Sequence, residues 1–455
     1  MKKILLLTLL LWLNEMNAQE KVLTAEAFTA VVKKFHPVAK MAANDVKMAK
    51  WNITSSRASF DPEWKSDTYR KEFGGVTYYD QRVHEIKIPT WYGIDVYAGK
   101  ETLEGDRLNP EKTSGSVNYV GVSVPLLQNL VMDKRRAALL LAKNYYRLSE
   151  VERSIAVNDL LREAMDAYWT WWQKHYEFEL MQKGLANAKK RFDFIKAAYR
   201  LGDRPAVDTL EALTQVQSFE IKVSESFAEY TSAQLSLSAF LWTENLAQAG
   251  MVGVTPGNSA AYERYIVEEM LSASQDHPEL RQYQYKLKGL QIEKALRFQA
   301  FLPDVRIKYN QLGRSFSGAM HGAWFSNNFS NGISIALPLR FSEGRGEFAK
   351  ARIGIENTKI EQGNKQVQVE VKVKQYFAEW QQLENQLTVQ DNLVKNYASL
   401  QRAEEMRFAN GESNVFLINA REIKTIEAEQ KLIELRAKLK KAEVSMLWAA
   451  GILAS

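Results

Sequence analysis

The strongest constraint on this chain is where its prolines are missing. Proline lacks an amide hydrogen and clashes with the preceding helical turn, so a long helix needs a long proline-free stretch. The prolines fall at 37, 62, 89, 110, 125, 205, 256, 278, 303 and 338. That leaves 79 residues without one between Pro125 and Pro205, and 117 after Pro338. Glycine is scarce in the first window too, with only Gly184 between Gly121 and Gly202. Val151, Ile155, Leu160 and Ala164 recur at helical steps among Glu, Lys and Arg, the pattern of an amphipathic helix. A 70-residue helix would run about 105 Å at ~1.5 Å per residue, which no compact globule of this mass accommodates. The windows therefore predict long helical hairpins, coiled around one another.

Elsewhere the period changes. Val120, Val122 and Val124 alternate with Gly121 and Ser123, and the run ends at Pro125. Val305, Ile307 and Tyr309 alternate with Arg306 and Lys308; Ile333 and Ile335 flank Ser334; Ile94 and Val96 flank Asp95. These are half-buried strands joined by loops rich in Gly, Asn and Ser. An ordinary antiparallel sheet with one wet face and a membrane barrel share this alternation, so the strands alone leave both open.

The N-terminus reads as an address. Lys2 and Lys3 precede an apolar run from Ile4 to Leu13, and small and polar residues lead to Ala18. Residues 1–18 are expected to be a secretory signal peptide, too short to span a bilayer. The chain has no cysteine, which excludes disulfides, thiolate metal sites, a cysteine nucleophile and a lipoprotein-type anchor. After the signal no run of 18 apolar residues occurs, so any spanning part must be a barrel.

The chain also repeats itself. His36-Pro37, an amphipathic run and Phe60-Asp61-Pro62 are matched by His277-Pro278, a similar run and Phe301-Leu302-Pro303, with 25 residues from proline to proline in both copies. Val122-Ser-Val-Pro125-Leu matches Ile335-Ala-Leu-Pro338-Leu, and Tyr168 in its helix matches Tyr376. Tyr199-Arg-Leu-Gly202 matches Phe408-Ala-Asn-Gly411. The predicted organisation is a first repeat over 19–250, with a strand region at about 64–124 and a helical hairpin at 126–248. A linker follows at 251–276. The second repeat covers 277–455, with strands at about 303–339 and a hairpin at 345–449. The first copy has the longer strand region.

These features resemble the TolC-type outer-membrane efflux family over essentially the whole mature chain. The carriers are the two His-Pro helix starts, the strands ending Val-Pro-Leu and Leu-Pro-Leu, and the two aromatic-x-x-Gly turns. YRLGDRPAVDTLEA at 199–212 fits the family's turn pattern closely, and FANGESNVFLINA at 408–420 fits it more loosely. The resemblance implies an α+β, mainly α fold of tandem-duplicated helical hairpins forming a periplasmic α-barrel. It also implies four strands per protomer in a homotrimeric, 12-stranded outer-membrane barrel. Four strands are too few to close alone, which is a physical reason for the trimer.

The same resemblance implies that Leu201, Gly202, Asp203, Asn410, Gly411 and Glu412 lie at periplasmic tips where an adaptor protein docks. The two glycines suit left-handed turns, and Asp203 or Arg204 is expected to cap the next helix with Pro205 in its first turn. Asp208 and Glu211, three apart on one helix face, could form a ring of tunnel-mouth carboxylates in a trimer. As solvated helix-face charges near a helix N-terminus they would need no such role. The second copy carries Leu417 and Ala420 at these positions, so it adds nothing to that ring. Tyr78, Tyr79, Trp91, Tyr92, Tyr97, Trp324 and Phe325 lie in or beside the strands and read either as a membrane-interface belt or as core packing. Trp169, Trp171 and Trp172 sit mid-helix and read as packing.

No catalytic, metal-binding or cofactor motif is present among HExxH, GxSxG, phosphate-loop and Rossmann patterns, and the histidines lack ligand spacing. The net charge of +6 comes from Lys and Arg interleaved with acids, which argues for solvated coiled-coil faces over nucleic-acid binding. The expected function is a passive outer-membrane channel in a tripartite efflux or type I secretion system. Its partners would be a periplasmic adaptor, an inner-membrane pump and outer-membrane lipid, with the helices in the periplasm and no enzymatic activity. The alternative is a non-pore periplasmic coiled-coil scaffold.

Overall fold

A computed structural model describes residues 21–251, 253–257, 264–325, 327–337 and 339–454. The expected signal segment and Pro338 lie outside the described residues. The first half runs β1 (Lys21–Leu23), α1 (Ala25–Phe35), α2 (Pro37–Arg57), β2 (Glu63–Phe73), β3 (Val76–Pro89), β4 (Asp95–Glu104), β5 (Gly115–Pro125), α3 (Lys134–Arg200) and α4 (Ala206–Ser238). After β6 (Val254–Pro256) and α5 (Val267–Ser274), the second half runs α6 (Pro278–Phe298), β7 (Asp304–Gly313), α7 (Phe316–His321), β8 (Phe329–Ala336), α8 (Ser342–Ala409) and α9 (Val415–Ala449).

The proline-free windows form helices of 67 residues in α3 and 68 in α8. The fold is α+β and mainly α, with two long helical hairpins, as the sequence predicts. The duplication is visible element by element. Both α2 and α6 are 21 residues long and open on a proline. Each passes through a three-residue 3₁₀ turn, Ala58–Phe60 or Gln299–Phe301, into an X-Pro step and a strand. Each half then enters a very long helix, turns at a glycine and returns.

Contacts divide the chain into two compact units, and each draws on both repeats. One comprises residues up to Ala43, Arg153–Pro278 and Gln366 onward. Its core centres on Trp171, Tyr168, Trp169 and Trp172, all nearly inaccessible, packed with Phe28, Leu161 and Leu237. The mid-helix tryptophans are thus packing residues, as their position predicts. Phe28 stacks on Tyr168 at 5.4 Å between ring centres, and burial of such a side chain contributes about 2–3 kcal/mol. The Tyr168 hydroxyl donates to the Leu23 carbonyl at 2.8 Å, and the Trp172 indole donates to that of Gly257 at 3.2 Å. These bonds hold the ends of the parallel pair β1 and β6 against the aromatic cluster.

The other unit, Asn44–Glu152 with Glu279–Lys365, contains a six-stranded antiparallel sheet in the order β2-β3-β4-β5-β7-β8. This corrects the expected four strands per protomer: the first repeat contributes four and the second contributes two. The extra passage is made by two tight reversals. Gly74 and Gly75, at φ +61° and +75°, form the two-residue hairpin turn whose twist matches that of its strands. The second reversal spans Thr90 to Ile94, closed by the Thr90 amide donating to the Ile94 carbonyl at 2.9 Å. Strand β2 carries charged residues on both faces, so the hydrophobic alternation that marks the other strands is absent there.

Candidate functional sites: two helix turns and a two-faced sheet

The two turns are the same turn. After α3, the Gly202 amide donates to the Tyr199 carbonyl at 3.0 Å and the Asp203 amide donates to that of Ala198 at 3.0 Å. After α8, the Gly411 amide donates to Phe408 at 3.1 Å and the Glu412 amide to Arg407 at 2.8 Å. This is the Schellman pattern, which satisfies otherwise orphaned helix carbonyls and requires a left-handed residue. Gly202 and Gly411 supply it at φ +82° and +79°.

Side chains hold the turns together. Phe408 is buried with Ile195, Ala212, Val415 and Ile418, and the Arg204 guanidinium lies over its ring at 4.3 Å, a cation–π contact. Arg204 also pairs with Asp208 at 3.9 Å. Helix α4 begins at Pro205 with no side-chain cap, so neither Asp203 nor Arg204 caps it. Arg204 is drawn onto Phe408 and Asp208 instead. In α9 Asn414 does cap, its Oδ1 accepting from the Leu417 amide at 2.9 Å. Leu201, Gly202, Asp203, Asn410, Gly411 and Glu412 are all exposed. Beside them stand apolar side chains without cover: Leu201 at 78% exposure, Val207, Leu210, Met406 and Phe416.

Asp208 and Glu211 are half-buried and partnered. Asp208 faces Arg204, and the Oε1 of Glu211 accepts from Asn419 at 3.4 Å. Asn419 in turn accepts from Arg191 at 2.7 Å, and Arg191 pairs with Glu422 at 2.7 Å. Glu422 is 2% exposed, so the pair is buried on the carboxylate side. The network ties α3 and α4 to α9, and sequence reasoning missed it. The available signal was a carboxylate at 422 among the apolar positions of α9, between Ile418 and Ile426.

The helix-side half of the sheet has two unlike faces, and beyond it the face of Ile86 continues into His84, Arg82 and Lys100. Ile86, Ile88, Val96, Val122, Ile307 and Ile333 occupy one, where the register sets strand against strand. Ile86, Ile88 and Ile333 are exposed on it. The other face carries Glu85, Lys87, Glu101, Arg306 and Lys308. There the Tyr119 hydroxyl donates to Glu85 at 2.7 Å and the Gln81 amide donates to Glu101 at 2.7 Å. At the helix-side margin of this face Asp95, 3% exposed, meets Arg135 at 2.9 Å, Lys87 at 3.4 Å and Arg306 at 3.8 Å. Asp133 caps α3 beside it, accepting from the Arg136 amide at 2.7 Å.

The aromatic candidates fall at two levels. Trp91 and Tyr92 are exposed in the turn between β3 and β4, with Trp91 against Phe60 at 5.6 Å. Tyr78 and Tyr79 lie near the β2–β3 turn, and Lys71 sits over the Tyr78 ring at 4.9 Å. Trp324 and Phe325, in the loop before β8, cover Tyr309 at 5.4 and 4.4 Å, and its hydroxyl accepts from the Phe325 amide at 2.8 Å. Ten residues of β3 separate Tyr79 from Pro89, about 25 Å of height at ~3.3 Å per residue and a tilt of ~40°. Tyr97 departs from this pattern: it lies on the charged face, with Lys308 over its ring at 4.7 Å. No helix among the described residues is long and apolar enough to cross a membrane, and no cluster of His, Asp and Glu among them could hold a metal.

Residues 271–451 match the model of the outer membrane efflux protein family. Two curated relatives from Pseudomonas putida, the probable efflux pump outer membrane protein TtgC and the antibiotic efflux pump outer membrane protein ArpC, are each 24% identical over 316 residues. The match covers 67% of this chain and 63% of each relative, so the chain spans a little under two thirds of their length. Among solved structures, the outer membrane protein VceC of Vibrio cholerae superposes with a TM-score of 0.66 at 13% identity, covering 94% of this chain and 96% of that one. A membrane protein of Pseudomonas aeruginosa gives 0.66 at 15% identity, with 94% and 90% covered. At such identities the likeness establishes the fold. Its second repeat thus matches the outer membrane efflux protein family, its curated relatives are efflux outer membrane proteins, and its fold is that of outer membrane channels over almost its whole length.

Proposed function

We propose that the chain is the outer-membrane channel of a tripartite efflux or secretion system, a passive duct that does no chemistry. The observation that carries this reading is the sheet. Toward the helices one face is apolar and exposed, through Ile86, Ile88, Ile333 and Ile335, before it gives way to His84, Arg82 and Lys100; the other face is charged, aromatic residues border the sheet at two levels, and both of its edges are unpaired in a single copy. Lipid can cover the apolar face, water can fill the charged side, and further copies can cover the edges. The helices would form the periplasmic part of a homotrimer. The exposed turns, with Leu201, Gly202, Asp203, Asn410, Gly411 and Glu412, would receive a periplasmic adaptor that links the channel to an inner-membrane pump. At the mouth, Asp208 and Glu211 act within their own protomer, through Arg204 and Asn419, to keep α4 against its neighbours.

Fractionation tests the placement: the protein should pellet with outer membranes and, once extracted in detergent, scatter light as a trimer. A soluble monomer after lysis would instead mean a periplasmic scaffold without a pore. For the tips, Leu201→Asp should abolish export in an efflux assay while membrane-embedded trimers persist. If trimers vanish as well, the turn is a folding element and the docking assignment falls.

A further inference from the structure

The geometry points to a binding site for an amphipathic organic anion, in a cleft under the β4–β5 connection at the end of the sheet away from the helices. The cleft opens on the face of Glu85 and Glu101, the side that water can fill. In the channel reading such an anion is cargo near the exit of the duct; that role rests on the channel reading, whereas the site itself does not.

Strand register builds the floor. Tyr69, Gln81 and Leu103 form one row across β2, β3 and β4, and Lys71 and Tyr79 pair in the next, both on the face of Glu85 and Glu101. The register shifts between Lys71 and Glu72, which leaves Tyr78 without a partner on β2. Its ring lies under the Lys71 ammonium, 4.9 Å from it.

Residues 105–112 form the roof, and the backbone holds them down. The Asp106 amide donates to the Thr77 carbonyl at 2.9 Å, and the Arg107 amide donates to that of Tyr78 at 3.2 Å. Gly105, at φ +146°, permits this approach, since a Cβ there would meet the Tyr78 carbonyl oxygen at 2.6 Å. Farther on, the Lys112 amide donates to the Asn109 carbonyl at 2.9 Å and closes a turn around Pro110. The Lys112 ammonium then donates to the Gln81 Oε1 at 2.9 Å. Gln81 is set for this because its amide nitrogen donates to Glu101 at 2.7 Å. The connection is therefore tied at both ends to the face it covers.

The cleft so formed encloses about 570 Å³, within the ~300–1,000 Å³ of small-molecule sites. Its charge is one-sided. Lys71, Arg107 and Lys112 line it, and among its described lining residues none is acidic; Asp106 and Glu111, on the same connection, do not line it. None of the three cations has a carboxylate partner among the described residues: Lys71 has the Tyr78 ring, Lys112 has Gln81, and the Arg107 guanidinium has no side-chain partner. Like charges gathered without a counter-ion repel one another, and a bound anion relieves that repulsion. Beneath them Leu103, 2% exposed, and the rings of Tyr69 and Tyr79 offer apolar surface. A bare phosphate would use the cations alone, and a neutral ring would use the apolar floor alone. An aromatic carboxylate, sulfonate or phosphate ester uses both.

Equilibrium dialysis of the full chain in detergent against naphthalene-1-sulfonate tests the site, with 1-naphthol as the ring without the charge and inorganic phosphate as the charge without the ring. The sulfonate should bind once per copy and more tightly than either. Arg107→Gln should weaken it about tenfold, Lys71→Gln/Arg107→Gln/Lys112→Gln should abolish it, and Arg107→Lys should keep most of it. All three side chains are exposed, so these changes spare the fold. Sulfonate binding that survives in the triple variant would lie elsewhere and overturn the site. Equal binding of 1-naphthol, or of phosphate, would overturn the amphipathic anion as its ligand. The cleft lies within one copy, so the two readings fail separately. A soluble monomer that binds the sulfonate ends the channel reading and keeps the site, whereas membrane trimers that bind none keep the channel and end the site.

Discussion

The first and second helix turns share a backbone and differ in what is attached to it. Their hydrogen bonds repeat donor for donor, and both glycines adopt the same left-handed conformation. The side chains diverge: Leu201 stands where the second turn has Asn410, an uncapped Pro205 start faces a capped Asn414 start, and Arg204–Asp208 has no equivalent. In the second turn the Ser413 hydroxyl instead donates to the buried Glu404, which also faces Arg407 at 3.7 Å. Glycine fixes the turn, so the side chains are free to set what it presents. The first turn presents Leu201 where the second presents Asn410, while both keep exposed apolar side chains beside them, Val207 and Leu210 in one and Met406 and Phe416 in the other.

The largest test strikes the network that joins the hairpins. Glu422→Ala leaves the half-buried Arg191 without its carboxylate, and breaking such a pair costs about 3–5 kcal/mol. Thermal unfolding of the detergent-solubilised protein, followed by circular dichroism, should show the loss, and Arg191→Met/Glu422→Leu should recover most of it. If the single variant unfolds like the parent, the two hairpins are held by apolar packing alone.

Next come the glycines. A Cβ in the left-handed region costs about 1–2 kcal/mol, and nothing lies within 4 Å of a Cβ added at either position. Gly202→Ala and Gly411→Ala should therefore destabilise by nearly equal amounts in the same melt. Unequal losses would show that the shared backbone hides a difference in strain. The starts of the return helices should separate the turns in the opposite way. Asn414→Ala removes a cap worth about 1 kcal/mol, whereas Pro205→Ala removes no side-chain acceptor and should stay within about 0.5 kcal/mol.

What was legible in the sequence follows from how local each signal is. The long helices and both turns could be read because proline and glycine act within a few residues of themselves. The fold class followed from the duplication. The strand number did not, because β2 places Lys65 and Asp67 on one face and Arg70 and Glu72 on the other, so no hydrophobic alternation marks it. Gly74-Gly75 was the one local hint of a hairpin. The Arg191–Glu422 pair joins residues far apart in the chain, and no periodicity links them. Asp208 and Glu211 were singled out by spacing alone, which cannot show that Arg204 and Asn419 already hold them.

The smallest effect separates two carboxylates on α9. Burial pushes the Glu429 carboxyl above its ordinary range, against a weaker pull from Lys183. Glu434 is also penalised by burial, but its hydrogen bonds to Lys438 and Lys431 outweigh that and hold it below the ordinary range. The signs oppose. For Glu429 the folded state holds its proton more tightly than the unfolded state, so its contribution is full below the unfolded pKa of about 4.3. It is lost as pH rises through the higher folded value. For Glu434 the contribution is present above about pH 4.3 and disappears as pH falls through the lower folded value. Glu429→Gln should therefore raise the melting temperature at pH 7 relative to the parent and change little at pH 4. Glu434→Gln should lower it at pH 7. Parallel melts of both variants at the two pH values decide the matter, and a common sign of change would mean that the lysines, and not burial, govern this stretch of α9.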